Sequence, residues 1–112
     1  MIEFAILQIK DVEHTDYAFR GYDPKKFRLD DYQTVYEGRI DEELFPKSDY
    51  PELHDNPVLG KTLCECLFEI FNLRRPVAFK GHSLSVSDII LISDENKTRL
   101  YYCDMVGWVR IK

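Results

Sequence analysis

Residues 76–112, PVAFKGHSLSVSDIILISDENKTRLYYCDMVGWVRIK, decide the fold class. The run Ile89-Ile90-Leu91-Ile92 is β-branched and apolar throughout, which predicts a buried strand entered at Ser87 or Asp88. The polar stretch Asp94-Glu95-Asn96-Lys97 predicts a hairpin turn, with Arg99 to Cys103 as the returning strand. Asp104 to Gly107 turns the chain again, and Trp108 to Ile111 supplies a third strand. Strands joined by turns this short make an antiparallel meander.

Working outward, the strongest helix signal precedes this stretch, over Pro57 to Asn72. Asn56 suits the N-cap and Pro57 the first helical position. Leu59, Leu63, Cys66, Leu67 and Ile70, widened by Phe71, form one apolar stripe, and Glu65 and Glu69 lie opposite. Asn72 is expected to close the helix in a left-handed conformation, and Arg74-Arg75 complement its C-terminal dipole before Pro76. The stripe predicts a helix lying across a sheet.

Two more strands are expected nearer the N-terminus. Glu3 to Lys10 is rich in Ile, Leu and Phe, which suits a central strand. Tyr32 to Ile40 is enriched in aromatic and β-branched residues, with Gly38 marking a bulge or the strand end. Asp11 to Gly21 reads as an irregular or one-turn element. Asp23-Pro24 reads as the start of a short helix ending at Asp30-Asp31. Asp41 to Asn56, acidic and broken by Pro46 and Pro51, reads as a long loop with a partner-facing or mobile role and one helical turn at Glu42–Phe45. The resulting class is α+β: a small, mainly antiparallel sheet or partial barrel with one principal helix packed on it.

Composition sets the frame for function. The chain has 112 residues, the size of one domain, so residues 1–112 are read as a single unit. Net charge is −5: residues 1–55 hold 14 Asp and Glu against 7 Lys and Arg, and residues 56–112 hold 6 against 8. That overall field disfavours nucleic acid as a partner and leaves another protein as the expected one. No apolar run approaches the ~20 residues of a membrane span. With no signal-peptide pattern, a mature chain starting near Met1 in the cytoplasm is expected. The cysteines number three, and Cys64 and Cys66 point to different faces of the expected helix, so reduced, packing thiols are expected.

The densest polar cluster is Gly81, His82, Ser83, Ser85, Ser87 and Asp88. Serine, histidine and aspartate are the residue types of a nucleophilic triad. Sequence neighbours seldom converge into one, and no G-x-S-x-G elbow is present. The better reading is a structural turn: Gly81 permits a tight bend, and the serines and Asp88 hydrogen-bond nearby amides as the chain enters a strand. His14, His54 and His82 lack metal-site spacing, and no glycine loop could cradle a phosphate. No catalytic residue, metal ligand or cofactor is expected. Tyr101 and Trp108, with Arg99, Arg110, Arg74 and Arg75, are the candidate binding surface. Exposed, they would form a stacking platform for single-stranded nucleic acid; otherwise they are core with a charged outer face. The acidic balance favours the core reading.

Phe79 to Ile90 (FKGHSLSVSDII), Tyr101-Tyr102-Cys103-Asp104 and Gly107-Trp108 together resemble the YodL-like domain. The likeness extends upstream through Tyr17–Tyr22, the Tyr32–Gly38 strand and Ile70-Phe71-Asn72, with its specificity concentrated in Gly81–Asp88. Cys103, Met105 and Trp108 stand where that pattern more often has Val, Ser and Phe, which are packing changes. The resemblance implies an accessory protein of Gram-positive bacteria or of conjugative and integrative elements, and implies no named reaction. The expected function is therefore a cytosolic, non-enzymatic protein-interaction or regulatory module. The alternatives are a nucleic-acid-binding small sheet and an acidic antirestriction-type DNA mimic, for which 15 basic residues are too many.

Overall fold

Five antiparallel strands and one helix organise the residues that the computed structural model describes, 2–40, 46–48, 61–73, 79–95 and 97–112. The strands are β1 (Ile2–Ile9), β2 (Tyr32–Arg39), β3 (Ile89–Asp94), β4 (Lys97–Cys103) and β5 (Trp108–Arg110), and the helix is α1 (Lys61–Leu73). Spatial order is β2-β1-β3-β4-β5. The expected C-terminal meander is β3-β4-β5. It is extended by β1, which pairs with β3 from Ile2↔Asp94 to Leu7↔Ile89. The sheet is open, not a partial barrel: β2 and β5 are its edges, and β5 is only three residues long.

Both faces of the sheet are covered, which explains why Ile89–Ile92 reads as a continuous apolar run instead of alternating. On one face Phe4, Ile6, Ile90, Ile92, Tyr101, Cys103 and Trp108 pack with Leu63, Cys64, Leu67, Ile70 and Phe71 of α1. The buried stripe of α1 thus runs through Cys64, with Cys66 only partly buried at its margin, while Glu65 and Glu69 are exposed as expected. On the other face Ile9, Tyr32, Ile89, Leu100 and Tyr102 pack with Tyr17, Ala18, Tyr22 and Phe27. This second layer comes from residues 11–31, which hold only two short 3-10 turns, Val12–His14 and Leu29–Asp31. The layer is built from rings: Phe27 meets Tyr102 edge-on at 6.0 Å and Tyr22 meets it at 5.1 Å. Its buried tyrosines tie their hydroxyls to the loop: Tyr102 donates to the Arg20 carbonyl at 2.7 Å, and Tyr17 donates to Asp31 Oδ2 at 2.7 Å and accepts from the Arg28 N–H at 3.2 Å. Burial accordingly pushes the Tyr17 phenol up to about 12.

Three local expectations are corrected. Asp23 caps a turn through its Oδ1, which accepts from the Lys25 N–H at 3.0 Å, but the turn closes after Phe27 and no helix propagates to Asp30. The β1–β2 irregularity falls between Ile6 and Leu7, opposite Val35, so Gly38 marks no bulge and stands one residue before the strand end at Arg39. Gly38 faces Phe4, and a Cβ there would sit 2.8 Å from Cε2 of Tyr36 and 3.2 Å from Cζ of Phe4. Its absence lets those two rings stack at 5.8 Å. Asn72 ends no helix by a left-handed turn; it is within α1, and its side-chain amide is used elsewhere. The expected cap at Asn56-Pro57, the helical turn at Glu42–Phe45 and the loop residue His54 lie outside the described residues, as does the acidic loop apart from 46–48.

Candidate functional site

The loop from Gly81 to Asp88 brings together the polar residues singled out in the sequence, and one that was not. Gln8 stands in β1 with a side chain only 2% exposed. Its Oε1 accepts from the His82 N–H at 3.1 Å, and its Nε2 donates to the His82 carbonyl at 2.9 Å and to Asp88 Oδ2 at 3.0 Å. Gly81 lies against this amide, and a Cβ on it would collide with Gln8 Oε1 and touch Val35. The same carboxylate oxygen of Asp88 accepts from the Ser85 N–H at 2.8 Å, while the Asp88 N–H donates to the Ser85 carbonyl at 3.1 Å. A polar residue near the end of the apolar run Phe4–Ile9 was the available signal for Gln8.

His82 is held from both sides. Its Nδ1 lies 2.7 Å from the Ser83 carbonyl, which only accepts, so Nδ1 carries a hydrogen. The 3.3 Å approach of Gln8 Nε2 to that nitrogen is then a contact between donors, since both Gln8 hydrogens already have acceptors. Nε2 faces Asp88 Oδ1 at 4.0 Å. The ring is 41% exposed and rests beside Phe19 at 5.6 Å. The hydroxyls that a triad would need are turned elsewhere. Ser85 Oγ donates to the Ser83 carbonyl at 3.0 Å, and Ser87 Oγ accepts from the Phe19 N–H at 2.9 Å. Asp88 is 1% exposed. Burial pushes its carboxyl up to about 6, against the opposing pull of the Ser85 N–H, the His82 ring and the Gln8 amide. The cluster ties a loop to a sheet, and the hydroxyls of Ser85 and Ser87 are directed to the backbone and not to the imidazole.

Ser87 carries the tightest backbone constraint. It is buried at φ 82, a left-handed conformation unusual for serine. Its N–H donates to the Cys103 carbonyl at 2.9 Å, and its own carbonyl accepts from Tyr32 Oη at 2.5 Å. Asp88 continues the link, its carbonyl accepting from the Cys103 N–H at 2.8 Å. The loop is thereby fastened to β4, and on its other side to α1. There Leu84 N–H donates to Asn72 Oδ1 at 2.7 Å and Asn72 Nδ2 donates to the Leu84 carbonyl at 3.2 Å.

The other sequence candidates are dispersed. Tyr101 and Trp108 are buried in the core on the α1 side, 3% and 5% exposed, so neither offers the open ring face that a stacked base needs, and the small exposed part of Trp108 lines the cleft described below. Arg99 is half-buried opposite Ile92, and Arg110 is exposed opposite Tyr101. Arg74 and Arg75 lie outside the described residues. Among the described residues no group of three or more His, Cys, Asp or Glu could hold a metal, and no helix is long and apolar enough to cross a membrane. No disulfide joins the cysteines, and burial raises the Cys103 thiol to about 11, which favours its protonated form.

An open apolar cleft of about 310 Å³ lies beside the loop, between α1 and the β4–β5 turn. Phe68, Val86, Cys103, Met105, Gly107 and Trp108 supply its apolar lining, and Glu65 and Asp104 its charge. Phe68 and Trp108 meet edge-on at 6.2 Å. The turn that forms one lip, Asp104-Met105-Val106-Gly107, exposes Met105 by 70% and Val106 by 93%. It is shaped by Gly107 at φ 75 and by Asp104 Oδ1, which accepts from the Met105 N–H at 2.8 Å and the Tyr22 N–H at 3.2 Å. The sequence signal for this lip is an apolar pair in a turn, where polar residues are usual.

The model of one family, the YodL-like domain, matches residues 3–112, essentially the whole chain. Neither a curated protein nor a solved structure matches it.

Proposed function

The chain belongs to the YodL-like domain family, and from that premise we propose that it is a cytosolic, non-enzymatic protein-interaction module serving a regulatory role in a bacterial or mobile-element system. The observation that carries this reading is the lip of the cleft. Met105 and Val106 are apolar, project from a turn, and adjoin an apolar hollow lined by Phe68, Val86 and Trp108. Contiguous exposed apolar surface of this kind marks sites where another protein is met. The polar cluster supports the non-enzymatic part of the reading. Its imidazole donates into its own loop and faces a buried carboxylate, and the hydroxyls of Ser85 and Ser87 serve the backbone.

Nucleic acid is the weaker alternative, because the aromatic rings it would stack on are interior and net charge is −5. A DNA mimic would need an extended row of carboxylates, and the 20 Asp and Glu are set against 15 Lys and Arg. The test compares affinity capture by the wild-type chain with capture by a Met105→Asp, Val106→Asp double variant whose circular dichroism and urea midpoint match the wild type. Partners held by the first and lost by the second support the reading. Identical capture by both, or capture of nothing above background, defeats it.

A further inference from the structure

The cleft joins two features that seldom serve one ligand group unless that group is itself amphipathic. Its floor is apolar and aromatic, with Phe68 and Trp108 edge-on. Its charged lining residues, Glu65 and Asp104, are both carboxylates. Glu65 is exposed on α1 and makes no hydrogen bond or ion pair among the described residues. Asp104 receives both of its N–H donors on Oδ1, which leaves Oδ2 without a partner among the described residues. An apolar side chain alone would leave both carboxylates unused, and a small cation alone would leave the floor wet. A side chain with a long aliphatic stem and a cationic head satisfies both, the stem lying on the rings and the head remaining at the acidic edge.

We infer that the cleft receives a lysine side chain of a partner protein, with its methylenes on Phe68, Val86 and Trp108 and its ammonium at Glu65 and Asp104. This rests on the interaction reading above and names the occupant. Charge complementarity selects it: the apolar hollow is bordered by negative charge, so a hydrophobic side chain flanked by acidic residues is rejected as well as unrewarded.

Trp108 is the chain's one tryptophan and lines the cleft, so its fluorescence reports occupancy directly. The probe is acetyl-Ala-Ala-Lys-Ala-Ala-amide titrated into the full chain. Parallel titrations use the same peptide with norleucine or glutamate in place of lysine, and n-butylammonium chloride. The lysine peptide is expected to change Trp108 emission saturably, with the norleucine peptide weaker by about tenfold and the glutamate peptide silent. Glu65→Gln and Asp104→Asn, which keeps the oxygen that accepts the two N–H groups, should each weaken the lysine peptide by several-fold and leave the norleucine peptide unchanged. Equal response to lysine and norleucine, or none to lysine, overturns the inference. So does n-butylammonium binding as tightly as the peptide, since the site would then take a free amine. If the lysine peptide fails while the Met105, Val106 double variant still loses its captured partner, the occupant alone is wrong. If that variant loses nothing, the interaction reading falls with it.

Discussion

The side-chain amide of Gln8 binds the backbone of His82 as a neighbouring strand would, accepting from its N–H at 3.1 Å and donating to its carbonyl at 2.9 Å. A third bond, from the same Nε2 to Asp88, lets Gln8 hold both ends of the loop. Gln8→Leu keeps the volume and removes all three bonds, leaving Asp88 and the His82 backbone short of partners. Removal of a buried partner costs roughly 1–3 kcal/mol for each group stranded. The expected loss is about 3 kcal/mol of unfolding free energy, read as a lowered urea midpoint at unchanged slope. A loss below about 1 kcal/mol would show that water replaces the amide and that the loop is not fastened there.

Asn72 does the same for the far side of the loop, and its two bonds can be separated. Asn72→Asp keeps an acceptor for the Leu84 N–H but cannot donate to the Leu84 carbonyl, and Asn72→Ala loses both. The alanine variant should be less stable than wild type by about 2 kcal/mol, with the aspartate variant between them. Thermal melts of the three proteins give the order. An aspartate variant as unstable as alanine would mean that the 2.7 Å bond to the Leu84 N–H contributes nothing.

At Ser87 conformation and hydrogen bonding oppose each other. The residue sits at φ 82, where glycine is at ease, yet its hydroxyl accepts the Phe19 N–H, and Phe19 itself is held at φ 61. Ser87→Ala retains the strain and loses the acceptor. Ser87→Gly loses the acceptor and relieves the strain. Left-handed backbone costs a residue with a Cβ about 1 kcal/mol relative to glycine. The glycine variant should therefore exceed the alanine variant in stability by about that amount. Equal urea midpoints for the two would show that the backbone, not the hydroxyl, is unimportant at this position.

These three residues also mark how far the sequence could be read. The meander was legible because each of its strands is a short apolar run ended by polar turn residues. Helix α1 was legible because its stripe repeats at helical spacing. The second layer over the sheet was not, because Tyr17, Tyr22 and Phe27 follow no period: they fill a face from an irregular chain, and only tertiary packing aligns them. Within the polar loop the local part is the Ser85–Asp88 exchange of hydrogen bonds, whereas Gly81 is set by the close approach of Gln8 and Ser87 by the Phe19 N–H. The loop's anchors Gln8 and Asn72 were missed because they lie 74 and 12 positions from the backbone they bind. Tyr101 and Trp108 lie in the core under α1, while Leu100 and Tyr102, which alternate with Tyr101 on β4, are buried on the opposite face. The lip at Met105-Val106 escaped notice for the opposite reason, since a turn is judged by its shape-giving residues, Asp104 and Gly107.

Asp88 gives the fold a dependence on pH whose sign can be fixed. Burial raises its carboxyl to about 6 from the ordinary 3.8. Below pH 4 the residue is protonated in the folded and unfolded chain alike. Between those values only the folded chain holds the proton, so the folded state binds more protons and stability falls as pH rises. The stabilisation is fully present below the unfolded value and is lost as pH passes the folded one, with a magnitude on the order of 3 kcal/mol for a shift of this size. Other carboxylates add their own dependence, so the measurement is a difference between two proteins. Asp88→Asn mimics the protonated acid, keeping an oxygen for the Gln8 amide and the Ser85 N–H. Its amide faces the His82 ring where Oδ1 stood. The variant should match wild type near pH 4 and exceed it at pH 8 by up to the same ~3 kcal/mol, the gap opening between pH 4 and 6. Urea unfolding of both proteins across that range tests it. A gap that is constant with pH, or a variant that is less stable at pH 8, would mean that the ionised carboxylate is stabilised by its hydrogen bonds and by His82 more than burial penalises it.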